Sequence, residues 1–144
     1  MIREYKNTDL ESIMTIWYNA QTLAHPFLSE DFVNQVKIMM LEKFIPNSKT
    51  WVYELEGCVV GFIAMMGNEI GGLFVSPNSQ SNGIGTLLVN HVSQFYKDLE
   101  VEVFHENKIG KPFYVKQGFT AVSEYIDKST NQKVIKMQRQ KYNQ

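Results

Sequence analysis

Between Trp51 and Pro77 the chain reads WVYELEGCVVGFIAMMGNEIGGLFVSP, three apolar runs cut by EG and GNE and closed by Pro77. Short apolar runs between turn residues read as strands, so this segment is a three-strand meander. A sheet of this kind needs cover for its apolar face, and the flanking segments carry the pattern that supplies it. Upstream, IREY alternates, and Thr8 with Glu11 stands at capping-box spacing ahead of Leu10, Ile13, Met14 and Trp17, which fall on one helical face. Ser29, followed by Glu30 and Asp31, marks a second helix start leading into Phe32, Val33, Val36, Met39 and Met40.

Downstream, Leu87, Leu88, His91, Val92 and Phe95 form a helical stripe, and LEVEVF alternates as a strand with Leu99, Val101 and Val103 inward. A short helix around Lys111 to Lys116, a strand from Phe119 to Tyr125, a turn at KSTNQK and a strand from Val134 to Gln138 complete the pattern. That last strand either ends the sheet or pairs across a dimer, so monomer and homodimer both stay open. Residues 1–144, at 16.7 kDa, are about the size of one domain, and no repeat, linker or low-complexity segment divides them.

Charge and cysteine content narrow the partners. Lys and Arg number 14 against 15 Asp and Glu, a net charge of -1, which argues against nucleic acid or an anionic membrane as partner. The lone Cys58 leaves no intramolecular disulfide; it reads as a small buried strand residue and fits a reducing compartment. CVVGFIAMMG is far shorter than the roughly 20 residues that span a bilayer, and MIREYKNTDL lacks an apolar signal core, so a cytoplasmic protein is expected. His91 and His105 have no partner at ligand spacing, and no metal is expected.

The stretch VSPNSQSNGIGTLLV joins a strand to a helix through Gly83 and Gly85. A helix that starts just after a strand offers unpaired N–H groups with the positive end of its dipole behind them, an arrangement that attracts phosphate. Glycines there let a backbone approach an anion without a basic side chain. The other reading is a tight loop and nothing more. A P-loop is excluded because Thr86 and Leu87 stand where Lys and Ser/Thr are needed, and the dinucleotide pattern lacks its third glycine, at Leu88.

QSNGIG, together with Asn107, Gly110, Phe113, Tyr114, Gly118 and Phe119 in NKIGKPFYVKQGF, resembles the GNAT superfamily of acyl-CoA-dependent N-acyltransferases, and the order of elements agrees along essentially the whole chain. Gly110 stands where that family more often has alanine, and Pro112 sits early in the expected helix, which should therefore start late or be short. The resemblance implies an α/β fold: a mixed, mostly antiparallel sheet of six to seven strands with about four helices, and a cleft between GGLFV and LEVEVF. It also implies acetyl transfer from acetyl-CoA to a primary amine (a small amine, a protein N-terminus or a protein lysine) by direct attack in a ternary complex.

On that resemblance the pyrophosphate would lie on Gln80, Ser81, Asn82, Gly83, Ile84, Gly85 and Thr86, with the pantetheine arm beside Leu73, Phe74 and Val75. Gly71 and Gly72 either admit that arm or form a bulge. Tyr114 matches the tyrosine that protonates the departing sulfur; a phenol with pKa about 10 can donate to a thiolate whose thiol has pKa about 8.5 in a positioned site. The structural reading of Tyr114 is a core aromatic beside Phe113. For the base, Glu102, with Glu100 on its face, and Glu69 are the candidates, against a solvated strand face and a turn residue respectively, and the resemblance equally allows a water chain without a dedicated base. Asn107 orders its turn or touches the acyl-CoA arm, and His25, between the early helices, either lines the acceptor pocket or shapes a His-Pro turn. Trp17 reads as core. Two other classes stay open: an acyl-CoA sensor without catalysis and an adenine-nucleotide-binding domain.

Overall fold

A computed structural model describes residues 1–140. Its elements run β1 (Ile2–Glu4), α1 (Leu10–Ala24), α2 (Glu30–Met39), α3 (Ile45–Asn47), β2 (Lys49–Leu55), β3 (Cys58–Met66), β4 (Glu69–Val75), α4 (Ile84–Val92), β5 (Asp98–Phe104), α5 (Gly110–Lys116), β6 (Thr120–Asp127) and β7 (Gln132–Gln140). A π-helical turn, Met40–Phe44, joins α2 to the single turn α3. Among the described residues the strands form one seven-stranded sheet, β1-β2-β3-β4-β5-β7-β6, antiparallel throughout except for β4 with β5. This is the expected mixed sheet, with the longer helices packed on its faces.

The helix starts show which local signals act. Ser29 Oγ accepts a hydrogen bond from Phe32 N–H at 3.1 Å, so α2 begins where its cap predicts. At α1 the expected Thr8/Glu11 cap is replaced by a 3-10 turn over Asn7–Asp9. There the Asp9 carboxylate accepts from Lys6 N–H at 2.8 Å and from Arg3 at 2.9 and 3.0 Å. A buried carboxylate with a bidentate guanidinium partner outweighs a hydroxyl cap, and it ties β1 to the start of α1.

Two cores flank the sheet. On one side Leu88, Val89 and Val92 of α4 pack against Ile63, Met65, Ile70, Val101 and Val103. On the other, Ile13, Ile16 and Trp17 of α1 and Val33 of α2 cover Val52, Phe62 and Ala64. Trp17 is core, as its helical position predicts. Cys58, expected to be buried, is exposed, because it is the first residue of β3 and stands at the turn rather than inside the strand.

Three features create the cleft. Ala64 pairs with Gly72 and Met65 with Ile70, so Gly71 is an extra residue and the bulge reading holds for it. The bulge puts Ile70 and Leu73 against the same core although they are an odd number of residues apart. A side chain at Gly71 would overlap the Phe44 ring, which reaches the strand from the π-helical turn. Next, β4 and β5 pair at Glu69↔Glu100 and Ile70↔Val101 and then diverge, which leaves Leu73–Val75 facing Glu102–Phe104 across a gap. Finally, the closing strand neither ends the sheet nor leaves an edge. β7 inserts between β5 and β6, pairing with β5 from Val134 to Gln140 and with β6 from Gln132 to Gln138 across a register shift between Ala121 and Ser123, and β6 becomes the exposed edge on that side. Pro112 sits in the first turn of α5, which is seven residues long, as short as its proline predicts.

Candidate active site

A cavity of about 780 Å³ occupies the gap between β4 and β5. Its walls are Leu73, Phe74 and Val75 on one strand and Val101 to Phe104 on the other, with the start of α4, the face of α5 and the inner faces of α1 and α2 closing the rest.

The glycine turn forms one end. Gly83 caps α4 with φ +79°, a conformation that an L side chain resists, and Ser81 also lies in the left-handed region at φ 73°. The first hydrogen bond of α4 runs from Leu87 N–H to Gly83 C=O at 3.0 Å. The N–H groups of Ile84, Gly85 and Thr86 precede it and have no intrahelical acceptor. Gln80 fixes the approach to this turn, its Nε2 donating to Val75 C=O at 3.1 Å. The two glycines have different causes. Gly83 is needed for its dihedral, whereas a Cβ on Gly85 would stand 3.1 Å from two atoms of the Phe113 ring, so Gly85 lets α4 lie close to α5. Gln117 adds a polar link, donating from Nε2 to Thr86 Oγ1 at 2.8 Å.

Tyr114 projects from α5 into the same cavity and is 7% exposed. Its ring meets Phe113 and Phe119 edge-on, at 5.2 and 5.4 Å between centroids. Among the described residues none exchanges a hydrogen bond with its hydroxyl. Burial pushes the phenol pKa well up, which keeps the proton on the oxygen at neutral pH.

At the other end the polar groups are His25, Asn107 and the carboxylates of the sheet. Asn107, 8% exposed, accepts from Ile109 N–H at 3.1 Å and Gly110 N–H at 2.8 Å through Oδ1, so it orders the turn into α5. A Cβ on Gly110 would collide with that side-chain amide, which accounts for glycine at this position. His25 ends α1; its Nε2 lies 3.2 Å from Asn107 Nδ2, and its ring meets Phe27 and Phe104 edge-on. Burial lowers its pKa from 6.5 to about 4, and the imidazole is neutral.

Because Leu99, Val101 and Val103 turn into the α4-side core, Glu100 and Glu102 stand on the opposite face. Glu102 lines the cavity and accepts from the Tyr125 hydroxyl at 2.8 Å. Glu100 is held by Lys136 at 3.5 Å and Gln138 at 3.2 Å. Glu69, paired with Glu100 across the strands, has its pKa raised by burial and then by Glu102 and Glu100, against an opposing pull from Lys136.

Of the candidate catalytic, cofactor and substrate residues singled out in the sequence, the cavity wall takes in His25, Leu73, Phe74, Val75, Gln80, Ser81, Gly83, Ile84, Gly85, Thr86, Glu102, Asn107 and Tyr114, while Asn82, Glu69 and Glu100 lie outside it; Trp17, read as core, lines the wall as well. Sequence reasoning missed Gln21 and Gln117. Gln21, 4% exposed, lines the cavity from the apolar face of α1, and a polar residue on that stripe was the available signal. Gln117 gave none, because its partner Thr86 is distant in sequence. Among the described residues, no group of three His, Cys, Asp or Glu side chains is placed to hold a metal ion, and no helix is long and apolar enough to cross a membrane.

Comparison with known proteins agrees with this geometry. Residues 7–141 match the family model described as "Acetyltransferase (GNAT) domain". The chain is 32% identical over 123 residues to the peptidyl-lysine N-acetyltransferase YiaC of Escherichia coli (strain K12), covering 85% of this chain and 84% of that protein. It is 30% identical over 129 residues to the peptidyl-lysine N-acetyltransferase YjaB of the same organism, covering 88% and 87%. The solution structure of apo-form YjaB from Escherichia coli superimposes with a TM-score of 0.85 at 25% identity, over 96% of this chain and 95% of that one. The PaiA N-acetyltransferase of Thermoplasma acidophilum, solved in complex with coenzyme A, shares the fold with a TM-score of 0.80 at 17% identity, over 97% and 98%.

Proposed function

Since the chain belongs to the GNAT acetyltransferase family and is an N-acetyltransferase, we propose that it carries the acetyl group of acetyl-CoA to the side-chain amine of a peptidyl lysine. The names of the relatives YiaC and YjaB support lysine as acceptor. The observation that carries the reading is the Tyr114 hydroxyl: the tip of a side chain only 7% exposed, unpartnered among the described residues, and open to a cavity whose far end is a helix N-terminus.

Acetyl-CoA supplies a thioester whose carbonyl the amine attacks. Around it the residues divide the work. The N–H groups of Ile84, Gly85 and Thr86 hold the diphosphate at the positive end of α4, and Leu73 to Val75, unpaired on the β5 side, offer backbone to the pantetheine arm. A lysine ammonium, pKa about 10.4, must lose a proton before it attacks. Glu102 at the cavity wall takes that proton, and Glu69 and Glu100 beside it add negative potential that draws the cation in. The new C–N bond forms as the C–S bond breaks, Tyr114 passes its proton to the departing sulfur, and the second proton that the nitrogen sheds on becoming an amide returns to the Tyr114 oxygen. No acyl-enzyme forms.

Replacing Tyr114 by Phe removes the proton donor and leaves the packing. The expected result is a fall in kcat of about 10²-fold with the dissociation constant for acetyl-CoA within a factor of a few. Unchanged turnover would remove Tyr114 from the chemistry.

A further inference from the structure

We infer that His25 is a positioning residue: it holds Asn107, and through Asn107 it sets the start of α5 and the place of Tyr114. This rests on the assignment of Tyr114 as the acid. Asn107 Oδ1 takes two backbone donors, Ile109 N–H and Gly110 N–H. That fixes which end of the amide is which, because N–H donors meet the carbonyl oxygen and the NH₂ end is left facing His25 Nε2 at 3.2 Å. An NH₂ group donates, so His25 Nε2 must carry a lone pair and the ring proton must sit on Nδ1.

The ring has little room to turn away. Phe27 and Phe104 hold it edge-on at 5.7 and 5.1 Å between centroids, and they meet each other at 5.5 Å. His25 itself is anchored at the end of α1 by its N–H donating to Gln21 C=O at 2.7 Å. The chain of contacts therefore runs from the last turn of α1, through the imidazole and the Asn107 amide, into the first N–H groups of α5, with Tyr114 one turn further along. Gly110 belongs to this device, since its missing side chain is the space in which the Asn107 amide sits. The α1 wall of the cavity is thereby tied to the helix that carries the acid.

Two measurements test it. In the wild-type protein, imidazole ¹⁵N shifts of His25 at neutral pH should report the Nδ1–H tautomer with Nε2 as acceptor; an Nε2–H tautomer overturns the inference. In kinetics, His25→Leu should lower kcat about tenfold with both KM values within about twofold, and His25→Gln, which restores an acceptor for Asn107, should recover most of that loss. In a Tyr114→Phe background His25→Leu should cost little more, because the two act as a unit. A raised acceptor KM with unchanged kcat would make His25 a substrate contact, and equal losses in the Leu and Gln variants would make it packing alone; either overturns the inference. Additive losses in the double variant overturn it as well, whereas Tyr114→Phe leaving kcat unchanged by itself overturns the acid assignment and the inference with it.

Discussion

His25 sets a pH signature for stability. Its pKa is lowered from 6.5 to about 4 by burial, so between those values the unfolded chain binds a proton that the folded chain refuses. Stability rises with pH wherever the unfolded state binds more protons, so this contribution is complete above pH 6.5 and lost as pH falls through about 4. Urea titrations across that window should show a falling midpoint that His25→Gln flattens; parallel curves would contradict it. Asp9, held low chiefly by its hydrogen bonds from Arg3, adds a further loss at more acid pH. Glu102→Gln should lower turnover at neutral pH, with the deficit narrowing as pH approaches the amine pKa of about 10.4, where the substrate deprotonates unaided. Superposable pH–rate profiles would exclude Glu102 as the base. At this scale the sequence marked the glycine turn, Tyr114 and Asn107, because motif residues keep their local spacing. It could not show that Asn107 reaches His25, a contact between segments 82 residues apart, or that this amide crowds a side chain at Gly110, which turns on how the Asn107 side chain is held rather than on the spacing of the two residues.

The glycine turn and the bulged strand are the elements on which the site depends. Gly83→Ala forces a methyl-bearing residue into φ +79°, which should cost about 1 kcal/mol and weaken acetyl-CoA binding by tilting the first N–H groups of α4. Retained stability and affinity, read by thermal shift and titration, would mean that the loop geometry does not matter. The helices α2 and α5 were legible from Ser29 and Pro112, whose effects are local. The start of α1 was not, because the Arg3–Asp9–Glu54 network that governs it spans β1, the first turn and β2. GG in EIGGLFV pointed to a bulge or a ligand approach; the register resolves Gly71 as the bulge, a decision made by Phe44 and the pairing with β3 rather than by the strand itself.

Across the whole molecule, the cleft exists because one parallel pair, β4 with β5, interrupts an otherwise antiparallel sheet and holds for two residue pairs before opening. Strand identity could be read from alternation, but strand order could not. The insertion of β7 between β5 and β6 depends on long-range pairing that leaves no mark in a local pattern. That insertion also places Lys136 and Tyr125 beside the carboxylates of β4 and β5, so the electrostatics at this end of the cavity are a product of topology. The proposed function requires that this cavity transfer an acetyl group rather than merely bind acyl-CoA. The most direct measurement is release of CoA thiol from acetyl-CoA with and without a lysine-containing peptide, with mass spectrometry of the peptide. Amine-dependent release, with the acetyl group on the lysine side chain and loss of both in Tyr114→Phe, is the expected result. Saturable acetyl-CoA binding without amine-dependent release of thiol, across a panel of such peptides, would contradict the claim and leave a binding module in its place.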